Sequence, residues 1–274
     1  MPAELGPPSF LIRFSYPARS GFRAAGGDLP ALEARLYDPV RLERRFALFE
    51  ALTLPALLAQ TDGDFRTVVL IGEGLPAAAR DRLAAALDRL PGALVVALPH
   101  LHGYEAAQRA LDAVPAGTRW RLSLRLDDDD ALDVDFVARL RRMLAWLLPL
   151  QDGSAPLILA HARGYMLDLA GPRPGLVPVV ERLPLGCGTT MLAPTAGREN
   201  VYRRNHRWLP QFYDLFSEAR TPAFIRSLHG LNDSDGQAVG RQLDTGPAAL
   251  AAELAAGFPW LPPAWRQRAA EAEG

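Results

Sequence analysis

There is no lysine in this sequence: all 30 basic side chains are arginine. That excludes Schiff-base chemistry on a lysine amine and the lysine of a Walker-type phosphate loop. Arginine still recognises phosphate, through a planar fork of donors. Cysteine is almost as scarce, and with Cys187 alone an internal disulfide and a multi-cysteine zinc site are both excluded. Long apolar runs are lacking too. Met143–Leu150, among the longest, is far below membrane-spanning length, so no transmembrane segment is expected. "MPAELGPPSFLIRFSYP" puts no basic segment ahead of an apolar core, and no secretory signal is expected. Net charge is only −1 and there is no basic block, which argues against a nucleic-acid partner. A cytoplasmic protein is the simplest expectation.

What is present is ordinary globular composition, 49% hydrophobic over 274 residues, with a sizeable core. The first half alternates strands and helices. "SFLIRFSYP" predicts a strand ending near Pro17, and a Gly-rich loop follows to about Asp38. "PVRLERRFALFEALTLPALLAQ" spaces Leu42, Phe46, Phe49 and Leu52 for a helix from about Val40, with Pro55 ending or kinking it. "DFRTVVLIGEGLP" is a short apolar run suited to a buried parallel strand. "PAAARDRLAAALDRL" predicts a helix with proline in its first turn, "GALVVALP" a third strand, and "GYEAAQRALDAV" a third helix.

A fourth strand, "RWRLSLRL", then runs into Asp127, Asp128, Asp129 and Asp130. The alternation predicts an α/β fold with a mainly parallel sheet flanked by helices, and such sheets bind ligands beyond the carboxyl ends of their strands. The aspartates sit at such an end. Downstream, "DVDFVARLRRMLAWLLPL" reads as a helix capped by Asp133. "APLILAHARGYMLDL" reads as one longer or two paired strands. From Gly171 the pattern loosens, and "AALAAELAAGF" is a terminal helix or a loose tail. No repeat or low-complexity linker appears. One domain is expected over 1–274, with a nucleotide-facing part at about 10–132, an acceptor-facing part at about 133–246, and a tail at 247–274.

Adjacent carboxylates repel, and burial sharpens the repulsion. Either the four aspartates form a solvated surface turn, or something cationic sits among them. Two carboxylates one residue apart can approach one divalent ion, and hard oxygen ligands suit Mg²⁺ or Mn²⁺ shared with substrate phosphates. Alternation puts Arg125 on the same strand face as Asp127, where it either serves the site, contacting a ligand or buffering the carboxylates, or forms a surface ion pair worth little.

"RLDDDDAL" resembles the Asp-x-Asp motif of GT-A glycosyltransferases. "FLIRFSYP", "RRFALFEALTLPALLAQTD", "FRTVVLIGEGLP" and "HGYEAAQRALDAVPAGTRWRLSLRLDDDD" are similar to the bacterial putative rhamnosyltransferase family, strongly over the first half and weakly over the second. The resemblance implies a GT-A-like fold and a metal-assisted transfer of sugar, first of all rhamnose, from a nucleotide-diphosphate donor such as dTDP-rhamnose. The acceptor would be a saccharide or other hydroxyl compound. It also implies Asp127 and Asp129 as metal and diphosphate residues, Asp128 as spacer, Asp130 as a supporting carboxylate, and His229 as the late histidine on the metal, with His206 its competitor. Arg13 and Tyr16 fall where such a fold receives the nucleoside.

Several residues stay open between chemistry and packing. His100 and His102 line a pocket or cap a helix, and His161 is expected to be structural. Asp168, Glu181, Asp233 and Asp235 are all eligible as the base that takes the acceptor proton, and Asp233 is preferred because it shares a segment with His229. Tyr202, Arg203, Arg204, Arg207 and Trp208 form either a phosphate or sugar platform or a packed surface. Cys187, between two glycines, reads as a small buried residue rather than a nucleophile. Two other functions compete: a Mg²⁺-dependent phosphotransferase or nucleotidyltransferase, for which no phosphate-binding glycine loop is present, and a non-catalytic GT-A-like binding domain.

Overall fold

A computed structural model describes residues 4–20, 28–117, 119–152, 155–170, 175–230, 239–263 and 265. Its strands are β1 (Ser9–Arg13), β2 (Arg66–Gly72), β3 (Ala93–Leu98), β4 (Trp120–Asp127), β5 (Ala131–Leu132), β6 (Leu157–His161), β7 (Arg163–Asp168), β8 (Gly175–Val180), β9 (Thr190–Pro194), β10 (Asp214–Glu218), β11 (Phe224–Leu228) and β12 (Arg241–Gln242). Its helices are α1 (Leu29–Leu36), α2 (Pro39–Leu48), α3 (Leu54–Leu58), α4 (Ala77–Leu87), α5 (Gly103–Asp112), α6 (Phe136–Leu147) and α7 (Pro247–Gly257). None is long and apolar enough to cross a membrane, among the described residues.

Seven strands form the main sheet in the order β10-β6-β9-β4-β1-β2-β3. Every neighbouring pair is parallel except the two made by β9. This is the α/β sheet that the alternation predicts. β1 buries both faces, as a strand inside such a sheet must. Phe10 and Ile12, with Phe14 just beyond the strand, enter one apolar cluster and Leu11 another. The rings of Phe65 and Phe136 lie 5.4 and 6.2 Å from that of Phe10, which joins β1 to α6. A second sheet, β12-β8-β7-β11-β5, is built from the later strands.

Four local expectations are corrected. The segment before Asp38 holds α1, not only a loop. Pro55 does not end its helix: a π-turn over Phe49–Thr53 lets the Leu54 amide bond to the Phe49 carbonyl, and the chain stays helical to Leu58. The wider turn absorbs the proline ring and its missing donor. Asp135, not Asp133, stands at the N-cap position of α6 but makes no side-chain cap bond; the Asp133 carboxylate accepts from the Asp135 amide and also binds the Arg139 guanidinium. β6 and β7 do not pair with each other. Ala162 between them donates to Glu218 and accepts from Glu181, and the chain passes from one sheet into the other. The stretch after Gly171 contains β8 and β9, and the 247–274 segment opens with α7, whose Leu250 and Leu254 are buried.

Behind α6, His161 is buried as expected, with Nδ1 4.0 Å from Glu218 Oε2 and its ring against Phe136. Burial opposes ionisation of Glu218. His161 and the amides of Arg220 and Thr221 outweigh it and hold the carboxyl at about 2, below its ordinary 4.5. A depressed carboxylate stabilises the fold above the unfolded value, and that contribution is lost as pH falls through the folded one. Urea unfolding of the parent and Glu218→Gln should therefore show a stability gap that is complete above pH 4.5 and closes towards about pH 2. A gap that does not vary with pH would contradict the pairing.

Candidate active site

Leu122, Leu124 and Leu126 of β4 point into one apolar cluster. Ser123, Arg125 and Asp127 take the other face, as strand alternation requires. Parallel pairing sets Arg13, the last residue of β1, directly beside Asp127. Arg13 Nη2 is 3.6 Å and Arg125 Nε 3.8 Å from Asp127 Oδ1, and that oxygen is buried without a hydrogen bond. The carboxylate as a whole is 30% exposed. Burial raises its pKa, but Arg125 and then Arg13 overcome this and hold it below the ordinary range.

The next three aspartates have different partners. Asp128 is fully buried and clasped at both oxygens by Arg45 of α2. Burial pushes its carboxyl up to about 6 against the pull of Arg45. Asp129 Oδ2 lies 2.9 Å from His229 Nε2. Asp130 accepts from the Ser227 amide at 3.0 Å and the Cys187 thiol at 2.8 Å, while its carbonyl accepts from Thr53 Oγ1. Burial first, then Asp129 and Asp127, raise Asp130 well above the carboxylate range. Burial and Asp130 likewise keep Cys187 a thiol. The structure thus brings Arg13, Arg125, Asp127, Asp129, Asp130 and His229 to one edge of the sheet.

A glycine loop closes over this turn. Gly188 donates to the Arg125 carbonyl and Arg125 to that of Thr189, so residues 186–189 track the end of β4. Gly188 has φ +76°, a conformation that favours glycine. A Cβ on Gly186 would stand 2.5 Å from Asp127 Oδ2. Among the described residues no three His, Cys, Asp or Glu side chains converge as a metal-binding group. The Asp127 oxygen that lacks a hydrogen bond and the Asp129 carboxylate are hard oxygen donors of the kind that Mg²⁺ or Mn²⁺ takes.

Other expected residues divide. The Tyr16 hydroxyl donates to the Pro99 carbonyl at 2.5 Å and accepts from the Leu101 amide, so it fastens β1 to the loop before α5. His102 caps α5 through Nδ1. Glu181 accepts from the Leu183 amide and from Arg207, and Asp168 from the Ala170 amide. Arg203 and Arg204 stack on Tyr104 and Phe212 as surface packing. His206 is near enough to Asp127 and Arg125 to feel both, and burial, then Arg125, lowers its pKa to about 3, leaving it neutral. Asp233 and Asp235 lie outside the described residues.

Arg45, Gly186, Tyr202, Arg226 and Ser227 were not picked out as partners of the turn. Their links to it run between elements distant in sequence, and only the "GCG" glycines hinted at a close approach. Removing one member of a buried ion pair strands the other, so Arg45→Ala should cost about 3–5 kcal/mol in chemical denaturation. Arg45→Met with Asp128→Leu should recover most of that loss, and a single-variant cost below about 1 kcal/mol would contradict the pair's burial.

No curated protein matches the chain. Among solved structures it is similar to S. aureus TarS, with 11% identity over 81% of this chain and 36% of that one, at a TM-score of 0.46. TarS 1–349 in complex with UDP-GlcNAc gives 11% identity over 92% and 67%, at 0.37. HddC from Yersinia pseudotuberculosis gives 13% over 80% and 92%, at 0.36. The chain thus spans about a third of the full TarS chain it matches. A protein-family model described as "Putative rhamnosyl transferase" matches residues 9–241, and the chain belongs to that family.

Proposed function

We propose that the protein is a nucleotide-sugar glycosyltransferase. It moves a sugar, rhamnose in the first instance, from a nucleoside-diphosphate donor such as dTDP-rhamnose to a hydroxyl of a saccharide or other acceptor. Family membership over most of the chain supports the reaction class. The observation that carries the site is the turn at the carboxyl end of β4, where Asp127 and Asp129 stand together at the ligand-binding edge of a parallel sheet.

Asp127, Asp129 and His229 would hold Mn²⁺ or Mg²⁺, which would supply positive charge against the diphosphate as it leaves. Asp128 and Asp130 do different work. The first is bound to Arg45, and the second, with its raised pKa, ties the turn to β11 and the glycine loop. They fix the backbone so that the 127 and 129 side chains need not reorganise when charge develops. Arg13 and Arg125 flank the same carboxylate and orient the donor. Gly186 packs directly against it, where a Cβ would stand 2.5 Å from Oδ2. Both Glu181 oxygens already accept hydrogen bonds, which leaves that carboxylate poorly placed to take an acceptor proton. Asp233 is retained as the proposed base.

Binding to the folded state alone raises the midpoint of thermal unfolding, by several degrees for a ligand far above its Kd. A thermal-shift screen should find a nucleoside diphosphate or its sugar whose shift grows with Mn²⁺. Asp129→Ala should lose the Mn²⁺-dependent part while still unfolding cooperatively. If that variant responds as the parent does, Asp129 is misassigned. A parent that responds to nucleoside triphosphates alone would contradict the sugar-donor reading.

A further inference from the structure

The two edges of the main sheet are finished differently. β10, at one edge, carries Asp214 and Glu218, charges of the kind that discourage a further strand. β3, at the other edge among the described residues, reads Ala-Leu-Val-Val-Ala-Leu, with no charge and no proline. β2 beside it buries six of its seven residues, whereas β3 buries none of its six, and Leu94 is 37% exposed. A strand inside a helix-covered sheet buries both faces. β3 is thus apolar like an interior strand but stands at an edge. The Leu98 carbonyl accepts from the Glu73 amide. Alternation therefore turns the backbone groups of Leu94, Val96 and Leu98 towards β2 and those of Val95 and Ala97 outward.

Helix α4, which leads from β2 to β3, shows what fits there. Ala79, Leu83 and Leu87 are its buried row and share a cluster with Ala93 and Val95 of β3. On one flank of that row Arg82 reaches Glu43 and Glu50, and so faces α2 and the body of the protein. At about 100° per residue, Arg80, Ala84 and Asp88 fall on the other flank, over the open edge, and all three are exposed. Neither of these charges has an ion-pair partner among the described residues. Both stand at the wrong end of the helix dipole, Arg80 in the first turn and Asp88 at the C-cap. The flank is its own complement. Against an antiparallel copy of itself centred on Ala84, each Arg80 meets an Asp88, and the small alanine lets the helices approach.

We propose that β3 pairs antiparallel with β3 of a second copy of this chain, joining two main sheets into one and laying α4 against the second α4. Centred on Val96, the pairing sets Leu94 opposite Leu98 on one face and Val95 opposite Ala97 on the other. The ladder is apolar, and the outward N–H and C=O groups of Val95 and Ala97 bond across it. The two α4 helices then lie about two strand spacings apart, roughly 10 Å, which is the separation of packed helices. The contact is isologous and closes at two copies. Because the strands run in opposite directions, the two aspartate turns face opposite ways and both stay open.

Sedimentation equilibrium of the full chain tests this. At about 50 µM the parent should show twice the 29.8 kDa of one chain, with the mass falling on dilution. Ala97→Lys, at a position exposed in the single chain, should weaken the dimer about tenfold or more with circular dichroism unchanged. Arg80→Asp and Asp88→Arg should each weaken it about tenfold, since like charges then meet at both ends of the helix contact. The double reversal should return to within about threefold of the parent. Should Ala97→Lys fail to fold, the charge reversals on the exposed helix flank carry the test alone. A parent that keeps the mass of one chain overturns the inference. So does a dimer indifferent to a folded Ala97→Lys, or a double reversal no tighter than the single ones.

Discussion

The Asp127 carboxylate, held between Arg13 and Arg125 at the carboxyl end of β4, is the interaction on which the rest of the site depends. Two parallel strands must be in register for Arg13 to reach it, and strand alternation must put Arg125 on its face. The glycine loop must then pass close overhead without a side chain. Each requirement is local and simple. Together they set one partly exposed anion in a cationic frame at the edge of the sheet where α/β folds take ligands.

The neighbouring aspartates show how one residue type serves four purposes. Asp128 is neutralised by a guanidinium, Asp129 meets an imidazole, and Asp130 is surrounded by donors and pushed towards its protonated form. Four adjacent carboxylates would repel if they shared one environment. Here the turn sends them to different partners, which offsets part of that repulsion, although Asp129 and Asp127 still raise Asp130. Rigidity follows from the same contacts, since Thr53, Ser227 and Cys187 all bind Asp130.

Much of this was legible in the sequence because it depends on periodicity. The apolar run of β2 and the helical spacing of α4 and α5 place the first half of the sheet, and alternation along β4 assigns Arg125 and Asp127 to one face. What escaped depends on partners far along the chain. Nothing in "RRFALFE" says that Arg45 will meet Asp128, and nothing in "FIRSL" says that the Ser227 amide will bind Asp130. The role of Pro55 escaped because a π-turn can accommodate a residue that an α-helix would not. β6 and β7 read as partners because a single alanine between two strands gives no sign that they join different sheets.

The most direct measurement is a crystal structure of the protein with bound UDP or dTDP and Mn²⁺. The account predicts the pyrophosphate at the carboxyl end of β4, within hydrogen-bond reach of Arg125 and beside Asp127 and Asp129. A nucleotide seated instead in the cleft of about 760 Å³ at the opposite end of β4, lined by Trp120, Arg119 and Arg141, would contradict it.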